Sequence, residues 1–355
     1  MVRKKNSCNE GNLLTPEPTE IVLTDSDLKQ TAESIAEWQL ESGMIPWFPG
    51  GHADPWNHVE ATMALQTAGL IDEALKGYEW LERIQRDDGS WHNYYLEDSI
   101  EQDKIDSNCV AYIATGVLHS YLISQDMGFL ESMWKVVEPA IDFVVDMQTE
   151  RGEIIWARHS DGTLWSYALL TGSSSIAHSI RSAIKIATEL GFEKKRWESS
   201  YVKLANVIRT VPDAFAPKNR WAMDWYYPVL SGVVTGEMGI KHLAEKNETF
   251  EIPGKGIRCV SDRPWITTAE TCECALAFQS IGETQHAWEL FKQIQKFRND
   301  KGQYLTGVVY PESVSFPEEE YSTYSAAAVV LAADSLMGIT KASQLFSNHE
   351  FLPVL

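Results

Sequence analysis

Carboxylates, aromatic rings and amide side chains gather in six short stretches of the 355-residue chain. The first is Gly50-Gly-His52-Ala-Asp54-Pro-Trp56-Asn57-His58-Val-Glu60, and the second is Asp106-Ser-Asn108. The third has Trp165-Ser-Tyr167, then Gly172-Ser-Ser-Ser175 and His178; the fourth is Met223-Asp224-Trp225-Tyr226-Tyr227-Pro228. The fifth has Ser261-Asp262-Arg263-Pro264-Trp265 with Glu270 and Glu273, and the sixth is Glu320-Tyr321-Ser-Thr-Tyr324. Two chemistries suit such a set. Aromatic walls stabilise allylic cations, while a carboxylic acid held neutral supplies or removes a proton. Alternatively, tryptophans stack on sugar rings while two carboxyls act as acid and base. Asp106 with Asp224, or Asp224 with Glu270, are the candidate pairs for that second chemistry.

Each of these residues also has a structural reading. Asp54, Asp106, Ser173 and Asp224 are good helix N-caps, and Pro55 strengthens that reading for Asp54. His58 lies one turn beyond Asp54 on the same helical face, or else is a core histidine bonded to a carbonyl. Glu270 stands among Ala269, Ala275, Leu276 and Ala277, where an ionised carboxylate is costly, so it is the expected proton-transfer group. Glu273 follows one turn later on the same face and can pair with an arginine instead. Asp262 and Arg263 fit a surface ion pair as well as a binding pair. The expected catalytic set is Glu270, Asp224, Asp106 and His58. The expected binding set is His52, Asp54, Trp56, Asn57, Asn108, Trp165, His178, Trp225, Tyr226, Asp262, Arg263, Trp265, Glu273 and Tyr321.

Elements that bring six distant stretches together are read from apolar spacing. Ala74, Tyr78, Leu81 and Ile84, or Val136, Val137, Ala140, Ile141 and Val144, recur at three and four residues, the helical period. Helices predicted to start near 54, 106, 173, 224, 267 and 321 alternate with others near 25–40, 71–86, 128–148, 193–210, 232–247 and 283–298. Six helical hairpins of roughly 50 residues predict an all-α (α/α)6 toroid, an inner ring of helices inside an outer ring. All six inner N-termini then open at one end, which predicts one concave site.

Helix ends repeat a punctuation. Gln39-x3-Gly43 precedes Trp47, Gln85-x3-Gly89 precedes Trp91, and Gln148-x3-Gly152 precedes Trp156; a looser copy runs from Gln295 through Gly302 to Tyr304. Glycine supplies the left-handed stop, glutamine binds freed backbone groups, and the aromatic is expected to pack back on the helix. The stretch Lys76-Gly77-x-x-Trp80-Leu81-x3-Gln85-x3-Gly89-x-Trp91 resembles the QW motif of the terpenoid-cyclase and protein-prenyltransferase superfamily. That resemblance implies a toroid with a pocket for an isoprenoid, hence a prenyltransferase-like or cyclase-like enzyme. Six-hairpin glycosidases share the toroid and are the second resemblance, implying a carbohydrate-active enzyme; a non-catalytic scaffold is the remaining alternative. The Asp-x-Asp-Asp acid of class II cyclases is absent. Asp106-Ser-Asn-Cys109 has the wrong spacing for the prenyltransferase zinc site, so no metal is expected.

Thirty basic against fifty acidic residues give a net charge of −20, which disfavours nucleic acid and anionic membrane surfaces as partners. No Walker loop or Gly-x-Gly-x-x-Gly fingerprint is present, so no cofactor is expected and a small molecule is the expected partner. Five cysteines at irregular spacing, no signal peptide and no long apolar run predict a cytoplasmic setting. The expected organisation is a loose tail over 1–22, a toroid over 23–345 and a C-terminal tail over 346–355.

Overall fold

A computed structural model describes residues 22–355. The tail expected over residues 1–22 lies, but for Val22, outside the described residues. Helices α1 (Asp25–Ala36), α2 (Pro55–Thr67), α3 (Ile71–Ile84), α4 (Ser107–Ala111), α5 (Ile113–Ser124) and α6 (Met127–Asp146) form the first half. The second half holds α7 (Leu170–Glu189), α8 (Lys195–Thr210), α9 (Met223–Leu230), α10 (Gly236–Phe250), α11 (Thr268–Ser280), α12 (Thr284–Ile294) and α13 (Thr323–Met337). Helix α2 packs on α5, which α4 leads into, then α5 on α7, α7 on α9, α9 on α11, α11 on α13, and α13 back on α2. That closes an inner ring. Outside it, α3, α6, α8, α10 and α12 each cover the preceding inner helix, and α1 covers α13. The fold is the (α/α)6 toroid, with the first helix of the sequence completing the last hairpin.

Burial explains which helices are inner. Every residue of α13 from Ser325 to Asp334 is buried, so it is apolar or small on all sides. Outer helix α12 buries only a stripe, Ala287, Leu290, Phe291 and Ile294, and leaves its other face to water.

The repeated Gln-x3-Gly is a device that joins neighbouring hairpins. Gln39 Nε2 donates to Gly43 O (3.1 Å) and to Glu73 O (2.9 Å) of the next outer helix. Gln85 reaches Gly89 O and Val136 O (both 2.9 Å), and Gln148 reaches Gly152 O (2.8 Å) and Ser200 O (2.9 Å). In each copy the glycine, at φ of 91°, 85° or 119°, lies against the carbonyl three residues further along that helix: Lys76, Pro139 or Lys203. The looser copy differs, because Gln295 turns back to Phe291 O of its own helix. Of the following aromatics Trp91 and Tyr304 pack back as expected, the Trp91 indole donating to Leu81 O at 2.9 Å and the Tyr304 hydroxyl to Gln295 Oε1 at 2.6 Å. Trp47 and Trp156 turn the other way, to Asp54 and Asp106.

Short strand pairs dress one end of the barrel. Ile105–Asp106 pairs with Ala157–Arg158, which holds Trp156 beside Asp106. Trp265–Thr267 joins Gly307–Val309 and Val314–Ser315 just ahead of α11. At the opposite end, the last residues are packed rather than a separate tail: Leu352 is buried, and the Arg181 guanidinium of α7 donates to the carbonyls of His349, Leu352 and Pro353.

Candidate active site

Inner helices line the axis turn by turn, so residues three or four apart descend in layers. On α11 the order is Glu270, Glu273, Leu276; on α2 Trp56, then Glu60; through α4 and its C-cap, Cys109, then Tyr112. The upper layer encloses a cavity of about 330 Å³ at the end where the inner helices begin. Asp54, Trp56, Asn57, Asp106, Glu270 and Glu273 line it, with Trp47, Glu60, Asn93, Tyr94, Lys104, Cys109, Trp156, Met223, Ala269 and Tyr324. Helix α4, second of the inner ring, stands opposite α11, the fifth. Asp106 and Glu270 therefore occupy facing walls.

Asp54 and Asp106 are built alike. Asp54 caps α2 with Oδ1 on Asn57 N (3.0 Å), while Oδ2 accepts from Trp47 Nε1 and Asn57 Nδ2, both at 2.7 Å. Asp106 caps α4 with Oδ1 on Asn108 N (2.9 Å), while Oδ2 accepts from Trp156 Nε1. Each carboxyl thus spends one oxygen on its helix and turns the other toward the cavity wall. Burial pushes the Asp106 carboxyl up to about 6, against the opposing pull of the Lys104 ammonium and its hydrogen bonds. Lys104 itself lies 4.1 Å from the centre of the Trp156 ring.

Two further carboxyls form the floor. Glu60 Oε1 accepts from Trp56 Nε1 (3.1 Å) and Tyr112 OH (3.0 Å); Glu273 accepts from Tyr226 OH and from Tyr227 OH (2.6 Å). Desolvation first, with neighbouring carboxylates adding to it, raises Glu273 well above the ordinary range and pushes Glu60 up to about 7. The expected arginine partner of Glu273 is replaced by the two tyrosines. A stability prediction follows. Glu60 takes up a proton more readily in the native than in the unfolded state, so its contribution falls as pH rises from 4.5 to about 7. Glu60→Gln keeps an acceptor for Trp56 and Tyr112 and removes that loss. Urea unfolding should show the variant more stable than wild type by about 3 kcal/mol at pH 8, with the gap closing near pH 4. An equal gap at both pH values would refute it.

Several expected residues stand elsewhere, each for a visible reason. His58 does not face the cavity: its Nδ1 accepts from Ile45 N (3.1 Å), Nε2 lies 3.0 Å from Gly77 O, and burial pulls it down to about 4. Asp224 sits in the first turn of α9, yet it caps α7, accepting from Thr171 N (3.2 Å) and Oγ1 (2.6 Å). Trp225 stacks on Phe250 behind the ring, and Tyr226 supports Glu273 from its far side. Trp265 donates to Phe316 O on the outer sheet, and Asp262 pairs with Arg220 at 2.8 Å on the surface rather than with the exposed Arg263. His52 stacks on Tyr94 and pairs with Glu101, so it backs the wall. Trp165 meets Trp156 edge-on outside the mouth, while Asn108 is buried in the first turn of α4 and Tyr321 bridges Leu305. His178 lies below the floor, lining a separate chamber. Glu270 is not enclosed by its alanines; it stands partly exposed in the first turn of α11, and the desolvated carboxyls lining the cavity are Asp106, Glu60 and Glu273. Sequence reasoning missed Trp47, Asn93, Tyr94, Lys104 and Trp156 as wall residues. The signal for the two indoles is their place after the first and third Gln-x3-Gly copies, a position that predicts packing back on the helix instead. Among the described residues, no group of three or more His, Cys, Asp or Glu is placed to hold a metal ion, and no helix is long and apolar enough to cross a membrane.

No family model matches the chain. Over 325 residues it is 46% identical to the MMP endo-(1,4)-3-O-methyl-alpha-D-mannosidase of Mycolicibacterium hassiacum, an alignment covering 92% of this chain and 90% of that relative. Similar solved structures share the fold at low identity. A wild-type glycosidase superposes with a TM-score of 0.67 at 12% identity, covering 89% of this chain and 98% of the other. A sugar epimerase from a ruminal bacterium gives 0.66 at 10% identity, covering 87% and 98%, and a D-mannose isomerase 0.64 at 10%, covering 87% and 96%. The relationship overturns the expected isoprenoid chemistry of a prenyltransferase or terpenoid cyclase. The physical counterpart is the lining: five carboxyls, two asparagines and a lysine among indoles are a surface for hydroxyl groups, not for a hydrocarbon chain.

Proposed function

The chain belongs to the family of that endo-mannosidase, and from this premise we propose that it is a glycoside hydrolase acting on α-(1,4)-linked mannosides that carry O-methyl groups. The observation that carries the mechanism is the placement of Asp106 and Glu270 on facing walls of one cavity. Asp106, raised to about 6, holds a proton in mildly acidic solution and gives it to the glycosidic oxygen as the bond to C1 breaks. Glu270 takes a proton from a water that attacks C1 from the other face, so the configuration inverts. Afterwards Asp106 is ionised and Glu270 protonated, and solvent exchange resets both. Asp54, fixed by Trp47 and Asn57, lines the same cavity and turns a carboxyl oxygen toward the developing cation. Trp47, Trp56, Trp156 and Tyr94 offer rings for stacking, and Asn93 and Lys104 offer donors to sugar hydroxyls. No histidine lines this cavity, which weighs against a sugar epimerase working through imidazole pairs.

The test is incubation with an α-(1,4)-oligosaccharide of 3-O-methylmannose, followed by mass spectrometry and by proton NMR of the first anomer released. Shortened oligosaccharides and an initial β anomer are expected. An intact substrate would refute the hydrolase, and an initial α anomer would make Glu270 a nucleophile instead of a base.

A further inference from the structure

Beneath the floor lies a second, smaller space of about 30 Å³, lined by Leu230, Leu276, Ala328, Leu331 and Phe346. It shares Glu60 and Glu273 with the upper cavity, so these two carboxyls are wall to both. Its bottom is shut by the C-terminal residues: Phe346 stacks on His178 at 5.1 Å, and His178 Nε2 lies 3.1 Å from Leu345 O. One polar group there has no partner. Ser175, only 3% exposed on α7, lines the chamber, and its hydroxyl makes no hydrogen bond within the protein. A space this size holds a methyl group or one or two waters. Tyr112, Tyr227, Ser231 and His178 also line it but are already hydrogen-bonded, so the aliphatic side chains and the unpaired Ser175 hydroxyl are left to receive a group that has one carbon and one acceptor oxygen.

We propose that this chamber is a specificity site for a methoxy substituent on the sugar resting on the Glu60–Glu273 floor. The methyl packs among Leu276, Ala328 and Leu331, and the Ser175 hydroxyl donates to the ether oxygen. A free hydroxyl in the same place leaves the space among Leu276, Ala328 and Leu331 unfilled, so the methylated sugar is selected by the apolar contact of its methyl. This rests on the glycosidase reading above and adds to it the place where methylation is sensed.

The experiment compares kcat/KM for two α-(1,4)-mannooligosaccharides of equal length, one 3-O-methylated and one not, in wild type and in Ala328→Val. Wild type should prefer the methylated substrate by about tenfold or more, the value of one methyl in an apolar pocket. Ala328→Val adds two methyl groups inside the chamber and should erase most of that ratio; thermal melts establish that the variant is folded. A second measurement needs no chamber variant: a crystal structure of Glu270→Gln with the methylated oligosaccharide should place a methoxy carbon within van der Waals distance of Leu276 and Ala328. A ratio that survives in a folded Ala328→Val, or a methoxy group seated elsewhere, overturns the chamber while the hydrolase stands. If wild type cleaves neither substrate, the glycosidase reading falls and the chamber assignment falls with it.

Discussion

Asp106→Asn and Glu270→Gln should each lower kcat on a methylated mannooligosaccharide by about 10²–10⁴-fold, the usual contribution of one general acid or base. Neither change should unfold the chain. Asparagine at 106 keeps an oxygen to cap α4 and loses only the bond from the Trp156 indole, because its NH2 cannot accept, while Glu270 is partly exposed and glutamine keeps an oxygen for the Cys259 thiol. The pH profile separates the roles. Only the protonated form of Asp106 can donate, so wild-type activity should fall as pH rises through about 6. The residual activity of Asp106→Asn should lack that limb, whereas Glu270→Gln should retain it. Wild-type turnover by Asp106→Asn would move the acid to Asp54, which caps the neighbouring inner helix and also accepts from an indole.

The second large effect is on stability. Gly89→Ala and Gly43→Ala should each cost about 3–5 kcal/mol, among the largest single-substitution losses. A Cβ at Gly89 would lie 2.4 Å from Pro139 O, and one at Gly43 2.2 Å from Lys76 O; both obstacles are helix backbone and cannot swing away. The left-handed φ of 85° and 91° adds about 1–2 kcal/mol for any residue with a side chain. Gly69 is the control. Its φ is 80°, but nothing lies within 4 Å of the added carbon, so Gly69→Ala should carry the conformational cost alone. Urea unfolding of the three variants checks this, and a Gly89→Ala no weaker than Gly69→Ala would refute the role given to the repeated glycines.

Periodicity alone determined the ring. Apolar residues at three- and four-residue spacing mark each helix because burial of a stripe or of a whole surface is a local property of the chain. Inner helices expected near 54, 106, 173, 224, 267 and 321 begin at 55, 107, 170, 223, 268 and 323. The repeated Gln-x3-Gly was legible too, because a glycine stop is local; that each glutamine also grips the next hairpin was not, since its second acceptor lies 34 to 52 residues away. The candidate site was legible as a set of stretches at one end of the ring, and Asp54, Trp56, Asn57, Asp106, Glu270 and Glu273 do meet there. Which way each side chain faces was not. His58 and Glu60 are two residues apart on α2, yet one turns outward to Gly77 and the other inward to Tyr112. Asp224 looked like the cap of its own helix and serves its neighbour's. A sequence gives the phase of a helix face only relative to itself; the rotation of that face about the axis is set by packing against two neighbours and an outer partner. That rotation made Asp106, Glu60 and Glu273 desolvated acids of the cavity and left Glu270 partly in water, and only the tertiary structure decided it.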